Sequence, residues 1–261
     1  MEVVIVADPA EAGRVIATAI QRLVHQTPSA VVGLATGSSP LPIYDELIKR
    51  HQAGEVDFSA ISAFLLDEYL GLPADHPESY RSFIRRVFTD VIGLGDEQVH
   101  SPDSQMDDVD LMCRQYERSI VDAGGVDLQI LGIGTDGHIG FNEPVSSLAS
   151  RTRVKTLTHS TRLDNARFFD DEPDMVPSHV VTQGIGTILE ARHLALICTG
   201  ANKAAAIAAA VEGPVTAMIP ASALQLHPHA TVVVDEAAAT GLELGDYYRA
   251  TYAAKPQWQS I

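Results

Sequence analysis

Apolar residues along the chain fall into two repeating patterns. Near-continuous apolar runs lie at 3–6, 30–34, 61–66, 127–133, 194–198 and 231–234, as expected of parallel strands covered on both faces. Between them, apolar positions recur at helical spacing. Asp8 and Pro9 make a cap followed by a first-turn proline, and Val15, Ile16, Ala19, Ile20, Leu23 and Val24 then mark one helix face. Tyr80, Phe83, Ile84, Val87 and Phe88 repeat the pattern, and this aromatic stripe reads as core packing rather than a cofactor surface. The Ala-rich stretch 204–210 reads as a tightly packed helix. Strand–helix alternation predicts right-handed crossovers and a doubly wound, mostly parallel sheet with helices on both faces, a Rossmann-like α/β fold. No Pro/Gly/Ser linker, repeat or low-complexity tract interrupts it, so residues 1–261 read as a single domain.

A fold of this kind binds ligands beyond the carboxyl ends of its strands, which directs attention to four loops. The first, Thr36-Gly37-Ser38-Ser39-Pro40, precedes a helical segment. If Pro40 takes the first helical position, Ser39 is the cap, and the free N–H groups there form an anion site. An ordinary strand–turn–helix junction has the same look. The second loop, Asp67-Glu68-Tyr69, sets two acids at the mouth of the sheet. They suit a helix cap, a solvated turn, or a carboxylate base whose pKa is raised by desolvation.

The third loop, 132–144, contains a formal G-x-G-x-x-G at Gly132, Gly134 and Gly137. A dinucleotide site is nevertheless disfavoured. Pro144 follows too soon for a phosphate-binding helix, the preceding strand is not N-terminal, and no acid ends a next strand about 20 residues on. What stands out instead is Asp136, His138 and Glu143 among the glycines, since flanking acids orient an imidazole for proton transfer. A metal held by these three is disfavoured, because no second histidine sits at ligand spacing. The fourth loop ends in Lys203 at the start of the Ala-rich helix. A cation there opposes the helix dipole unless an anion is bound, so Lys203 is either a phosphate clamp or a solvated lysine bent away.

Composition removes other classes. The chain has 46% apolar and 20% charged residues and a formal net charge of −16, with a pI near 4.9. So acidic a surface argues against nucleic acid as a partner. No run approaches a transmembrane helix, the N-terminus lacks a signal pattern, and Cys113 and Cys198 follow no metal spacing. These features predict a cytoplasmic protein with two buried structural cysteines and no membrane association.

The segments Ala35-Thr36-Gly37-Ser38-Ser39-Pro40, Leu66-Asp67-Glu68-Tyr69, Asp136-Gly137-His138-Ile139-Gly140-Phe141-Asn142-Glu143-Pro144 and Ser150-Arg151-Thr152-Arg153 together resemble the glucosamine-6-phosphate deaminase family, in its order and approximate spacing. The resemblance implies conversion of glucosamine 6-phosphate and water to fructose 6-phosphate and ammonia, with no cofactor. It implies that Asp67 is the base at C2, and that His138, with Asp136 and Glu143, opens the sugar ring. Thr36, Gly37, Ser38, Ser39, Arg167 and Lys203 would hold the substrate phosphate. Ser146, Arg153, Lys155 and Thr156 match a set that binds the activator N-acetylglucosamine 6-phosphate between subunits of hexameric members. A homohexamer under allosteric control is therefore expected, although the family's C-terminal allosteric tyrosine has no clear counterpart: Tyr247 and Tyr248 lie near the position that Arg249 occupies. The polar segment 158–177, which contains Arg167, is a candidate lid. Two rivals are a 6-phosphogluconolactonase-like hydrolase, which needs no C2 base, and a non-catalytic sugar-phosphate sensor, for which four acid–base residues exceed what binding requires.

Overall fold

The first helix forms for the reasons its sequence suggests. Asp8 adopts extended backbone and accepts the Glu11 N–H at 2.8 Å, Pro9 begins the helix, and Ile16, Ile20 and Val24 turn inward. The computed structural model describes residues 1–73, 75–256, 258, 259 and 261, and the backbone only of Ser160 and Asp164. In chain order its main elements are β1 (Glu2–Val6), α1 (Pro9–Gln26), β2 (Val31–Leu34), α2 (Leu41–Gln52), β3 (Ser62–Leu65), β4 (Asp67–Tyr69), α3 (Tyr80–Ile84), β5 (Val99–His100) and α4 (Val109–Asp122). There follow β6 (Leu128–Leu131), β7 (Arg153–Thr156), α5 (His159–Ala166), β8 (His179–Thr182), α6 (Ile185–Ile188), β9 (His193–Cys198), α7 (Ala204–Val211), β10 (Ala230–Asp235) and α8 (Gly245–Ala253).

Seven parallel strands form the main sheet in the order β1-β10-β9-β6-β2-β3-β5. The six apolar runs correspond to six of them. The edge strand β5 is too short to carry a period, and the sequence pattern does not reveal it. Every residue of β6, β9 and β10 is buried. Each fully covered Leu, Ile or Val there contributes on the order of 1.5–3 kcal/mol relative to exposure. From β2 the chain proceeds outward through β3 to β5, then returns to β6 and proceeds the other way through β9 and β10. The order therefore reverses between the neighbours β2 and β6, and a crevice opens beyond their carboxyl ends.

A second sheet is not foreshadowed by the apolar pattern. β4, β8 and β7 form a three-stranded antiparallel sheet, with Asp67 opposite Thr182 and Arg153 opposite the same residue. The segment Asp67–Tyr69 is thus a strand, separated from β3 by Leu66 alone, and not a loop. The pattern hides β7 because its cations are half-buried while Val154 is 36% exposed, inverting the usual alternation. Cys113 and Cys198 are both buried and free, as expected.

Candidate active site

The loops after β2 and β6 face each other across the crevice. Ala35 is tied at its start to α2, where the Tyr44 hydroxyl donates to the Ala35 carbonyl at 2.7 Å and accepts the Ala35 N–H at 3.2 Å. This buried double bond presents the next four residues, Thr36, Gly37, Ser38 and Ser39, to the cleft. The helix starts one residue later than its sequence suggests. Pro40 is the flanking residue with helical backbone, Leu41 begins α2, and no side chain caps it. Ser39 therefore does not act as the cap. The corresponding junction before α7 places Lys203 as the residue flanking Ala204.

A cleft of about 520 Å³ is lined by Thr36, Gly37, Ser38, Ser39, Asp67, His138, Arg167 and Lys203, so eight expected site residues from five chain segments share one cavity. Tyr69, Tyr80, Phe141, Asn165 and Glu78 join them. The aromatic stripe is thereby divided: Ile84 and Phe88 are core, while Tyr80 and Phe83 wall the cleft.

Asp67 is 4% exposed, and its Oδ1 has no hydrogen-bond partner among the described residues. Burial, reinforced by the negative charge of Glu68, pushes its carboxyl well above the usual range. The surrounding backbone is braced rather than free. Gln183 N–H donates to the Leu66 carbonyl at 2.9 Å, and Gln183 Nε2 donates to the Leu65 carbonyl at 3.2 Å.

His138 Nδ1 lies 2.6 Å from Asp136 Oδ1, an ion-pair approach rather than an aligned hydrogen bond, and the His138 backbone N–H donates to the same oxygen at 3.2 Å. The contact with His138 draws the Asp136 carboxyl down to about 2. Gly134 makes room for this pair, since a Cβ there would stand 2.2 Å from the imidazole ring. Asp136, unlike His138, does not line the cleft. Glu143 is placed differently from its two presumed companions. Its carboxylate accepts hydrogen bonds from the hydroxyls of Thr161 and Thr158, in the segment expected to be a lid. Among the described residues, no hydrogen bond or ion pair joins Glu143 to His138, and no three His, Cys, Asp or Glu side chains converge as a metal site.

Arg167 directly follows α5, with its guanidinium 4.8 Å from the Phe168 ring centre. In the activator set, Arg153 and Lys155 share the half-buried face of β7, and Arg153 donates to the buried Asn142 Oδ1 at 2.9 Å. Ser146 is buried, its hydroxyl without a hydrogen-bond partner among the described residues, and Thr156 is exposed. Asn142 also donates to the carbonyls of Ile139 and Gln183, so it joins the loop 136–144 to β7 and β8.

Fold and cleft together define an α/β protein with a polar crevice at the switch point of a parallel sheet, furnished with one buried carboxylate and one acid-paired histidine. A family described as glucosamine-6-phosphate isomerases/6-phosphogluconolactonase matches residues 9–234. The glucosamine-6-phosphate deaminase of Streptomyces avermitilis is 61% identical over the whole of both chains, and that of Mycolicibacterium smegmatis 59%. A solved structure described as a monomeric glucosamine-6-phosphate deaminase superposes with a TM-score of 0.89 at 39% identity, covering 92% of this chain and all of that one. A 6-phosphogluconolactonase from Trypanosoma cruzi shares the fold at 23% identity and a TM-score of 0.73, over 93% of this chain and 97% of its own. The chain belongs to the glucosamine-6-phosphate isomerase/6-phosphogluconolactonase family.

Proposed function

We propose that this protein converts glucosamine 6-phosphate and water to fructose 6-phosphate and ammonia, without a cofactor. The observation that carries the reading is Asp67, a buried carboxylate with an unpartnered oxygen at the wall of a cleft that also contains a candidate phosphate loop. Lactone hydrolysis needs no base at C2, whereas abstraction of a proton beside a carbonyl requires one.

His138, oriented and charge-stabilised by Asp136, moves a proton from the anomeric hydroxyl to the ring oxygen and opens the pyranose. Asp67 then takes the C2 proton of the open-chain aldehyde. The C–H electron pair forms the C1–C2 double bond of an enolamine, and the aldehyde oxygen takes a proton released by the substrate's ammonium group. Return of the proton from Asp67 to C1 leaves a C2 iminium. Water adds to C2, the C–N bond breaks, and nitrogen departs as ammonia, leaving the ketone. Thr36, Gly37, Ser38, Ser39, Arg167 and Lys203 hold the phosphate through the reaction. Glu143 takes its part in ring opening by exchanging Thr161 and Thr158 for His138, which couples that step to movement of the lid 158–177.

The same reading makes Ser146, Arg153, Lys155 and Thr156 a subunit-boundary site for N-acetylglucosamine 6-phosphate, and the enzyme a cytoplasmic homohexamer. The deaminase solved at 39% identity is described as monomeric, so assembly does not follow from family membership. Sedimentation with and without the activator is expected to give six copies, and a monomer under both conditions removes the hexamer. The test of the main reading is ammonia release from glucosamine 6-phosphate, with and without N-acetylglucosamine 6-phosphate. No ammonia under either condition overturns it.

A further inference from the structure

Along β4, alternate side chains take opposite faces. Asp67 and Tyr69 line the cleft and Glu68, between them, does not. Glu68 is 3% exposed, yet its carboxylate is fully engaged. Oε1 accepts the N–H groups of Tyr69 at 2.8 Å and Tyr80 at 2.9 Å, and Oε2 accepts that of Arg81 at 2.9 Å. Tyr80 and Arg81 begin α3, so Glu68 takes up donors that the helix itself leaves unsatisfied. The helix already has a cap in Ser79, whose hydroxyl accepts the Ser82 N–H at 3.1 Å. Burying a carboxylate as well is costly, which suggests that both the anchoring and the charge have a use.

We propose that Glu68 is a positioning residue for Asp67: it clamps the strand bearing the base to the start of α3, and it holds a second negative charge beside that base. The proposal rests on the deaminase reading above. The clamp sets the cleft wall next to Asp67, because it fixes Tyr80, whose hydroxyl donates to that of Tyr69 at 3.2 Å and whose ring stacks with Phe141 at 6.0 Å between centres. The charge opposes ionisation of Asp67 and so strengthens it as a base. Burial pushes Glu68 itself up, against three N–H donors and the Arg81 charge that favour its ionised form.

The tyrosines facing this pair do not ionise in the acid range. Tyr69 on β4, Tyr80 on α3 and Tyr116 on α4 are pushed up by burial and remain neutral. Arg81 donates from Nη1 to the Val99 carbonyl at 2.6 Å. Glu78 lies near Tyr69, while His138, Arg167 and Lys203 stand in the same cleft. These remain in place in the variants, so a change in the acid limb on replacing Glu68 reports Glu68.

The experiment compares wild type, Glu68→Gln and Glu68→Asp by kcat, KM and the pH profile of kcat/KM for ammonia release. Glu68→Gln is expected to lower kcat about tenfold or more with KM within about twofold, and to move the acid limb to lower pH. Glu68→Asp retains the charge but is too short to reach both helix donors, so kcat falls while the acid limb stays. An unmoved acid limb in Glu68→Gln overturns the proposal, as does wild-type kcat. If Glu68→Gln does not fold, Glu68→Asp decides: reduced kcat with the wild-type acid limb supports the proposal, and unchanged kcat overturns it. An inactive wild type overturns the deaminase reading and this proposal together, whereas an active wild type indifferent to Glu68→Gln overturns this proposal only.

Discussion

Asp67→Asn preserves the shape of a side chain that is 4% exposed and removes its charge. The loss of a general base costs roughly 10²–10⁴-fold in rate, or about 2.7–5.5 kcal/mol at about 1.36 kcal/mol per factor of ten. Stability is expected to move the other way. The folded-state carboxyl lies above the unfolded value, which is about 3.9. Asp67 therefore contributes stability that is fully present below the unfolded value and lost as pH rises through the folded one. Within that window wild type loses up to about 1.4 kcal/mol per pH unit relative to the Asn variant. Each kcal/mol corresponds to roughly 2–4 °C in Tm for a chain of this size. Steady-state ammonia release and exchange of the C2 proton with solvent deuterium measure the first effect, and thermal melts at pH 5 and pH 8 the second. Activity within tenfold of wild type would place the base elsewhere. A variant no more stable than wild type at pH 8 would refute the assignment of Asp67 as a strained, desolvated carboxylate.

Lys203→Ala should lower kcat/KM about 10–150-fold, as expected for one charge-assisted hydrogen bond of about 1.5–3 kcal/mol, with the change mainly in KM and weaker inhibition by inorganic phosphate; an unchanged KM removes Lys203 from the phosphate site. At Gly137, φ is +84° and an added Cβ would stand 2.9 Å from Ile219 Cγ2. Gly137→Ala should therefore cost about 1 kcal/mol or more from backbone strain and a similar amount from crowding, and lower kcat by moving Asp136 and His138; wild-type urea midpoint and kcat would contradict this. His193 stacks on His229 with ring centres 3.7 Å apart, and burial pushes it down to about 3. A depressed histidine destabilises as pH falls below its unfolded value of about 6.5, by up to about 1.4 kcal/mol per pH unit until about pH 3. His193→Gln should flatten the acid dependence of the urea midpoint between pH 7 and pH 4, and an unaltered slope would reject the assignment.

Several features were legible in the amino-acid order because they rest on local chemistry. The six longer strands of the main sheet appear as apolar runs because both of their faces are covered. The start of α1 is written in Asp8 and Pro9, where cap and ring act within one turn. Asp67, His138, Lys203 and the loop Thr36–Ser39 could be suspected because each follows a strand, and parallel strands deliver their carboxyl ends to one edge. That these residues line one cavity depends on the chain's reversal between β2 and β6, which only strand order decides. The small sheet is not legible because β4 opens with two acids, and β7 half-buries Arg153 and Lys155 while exposing Val154. Tertiary structure also separated residues that sequence had grouped. Glu143 lies five residues from His138, yet it bonds Thr161 and Thr158, and Tyr80 leaves its aromatic stripe to wall the cleft. The chemistry of Asp67 shows the division most directly. Its carboxylate is present in the sequence, but its basicity comes from a dry environment and a neighbouring charge. Burial and the backbone clamp around Glu68 arise only when β4, β8 and α3 pack together.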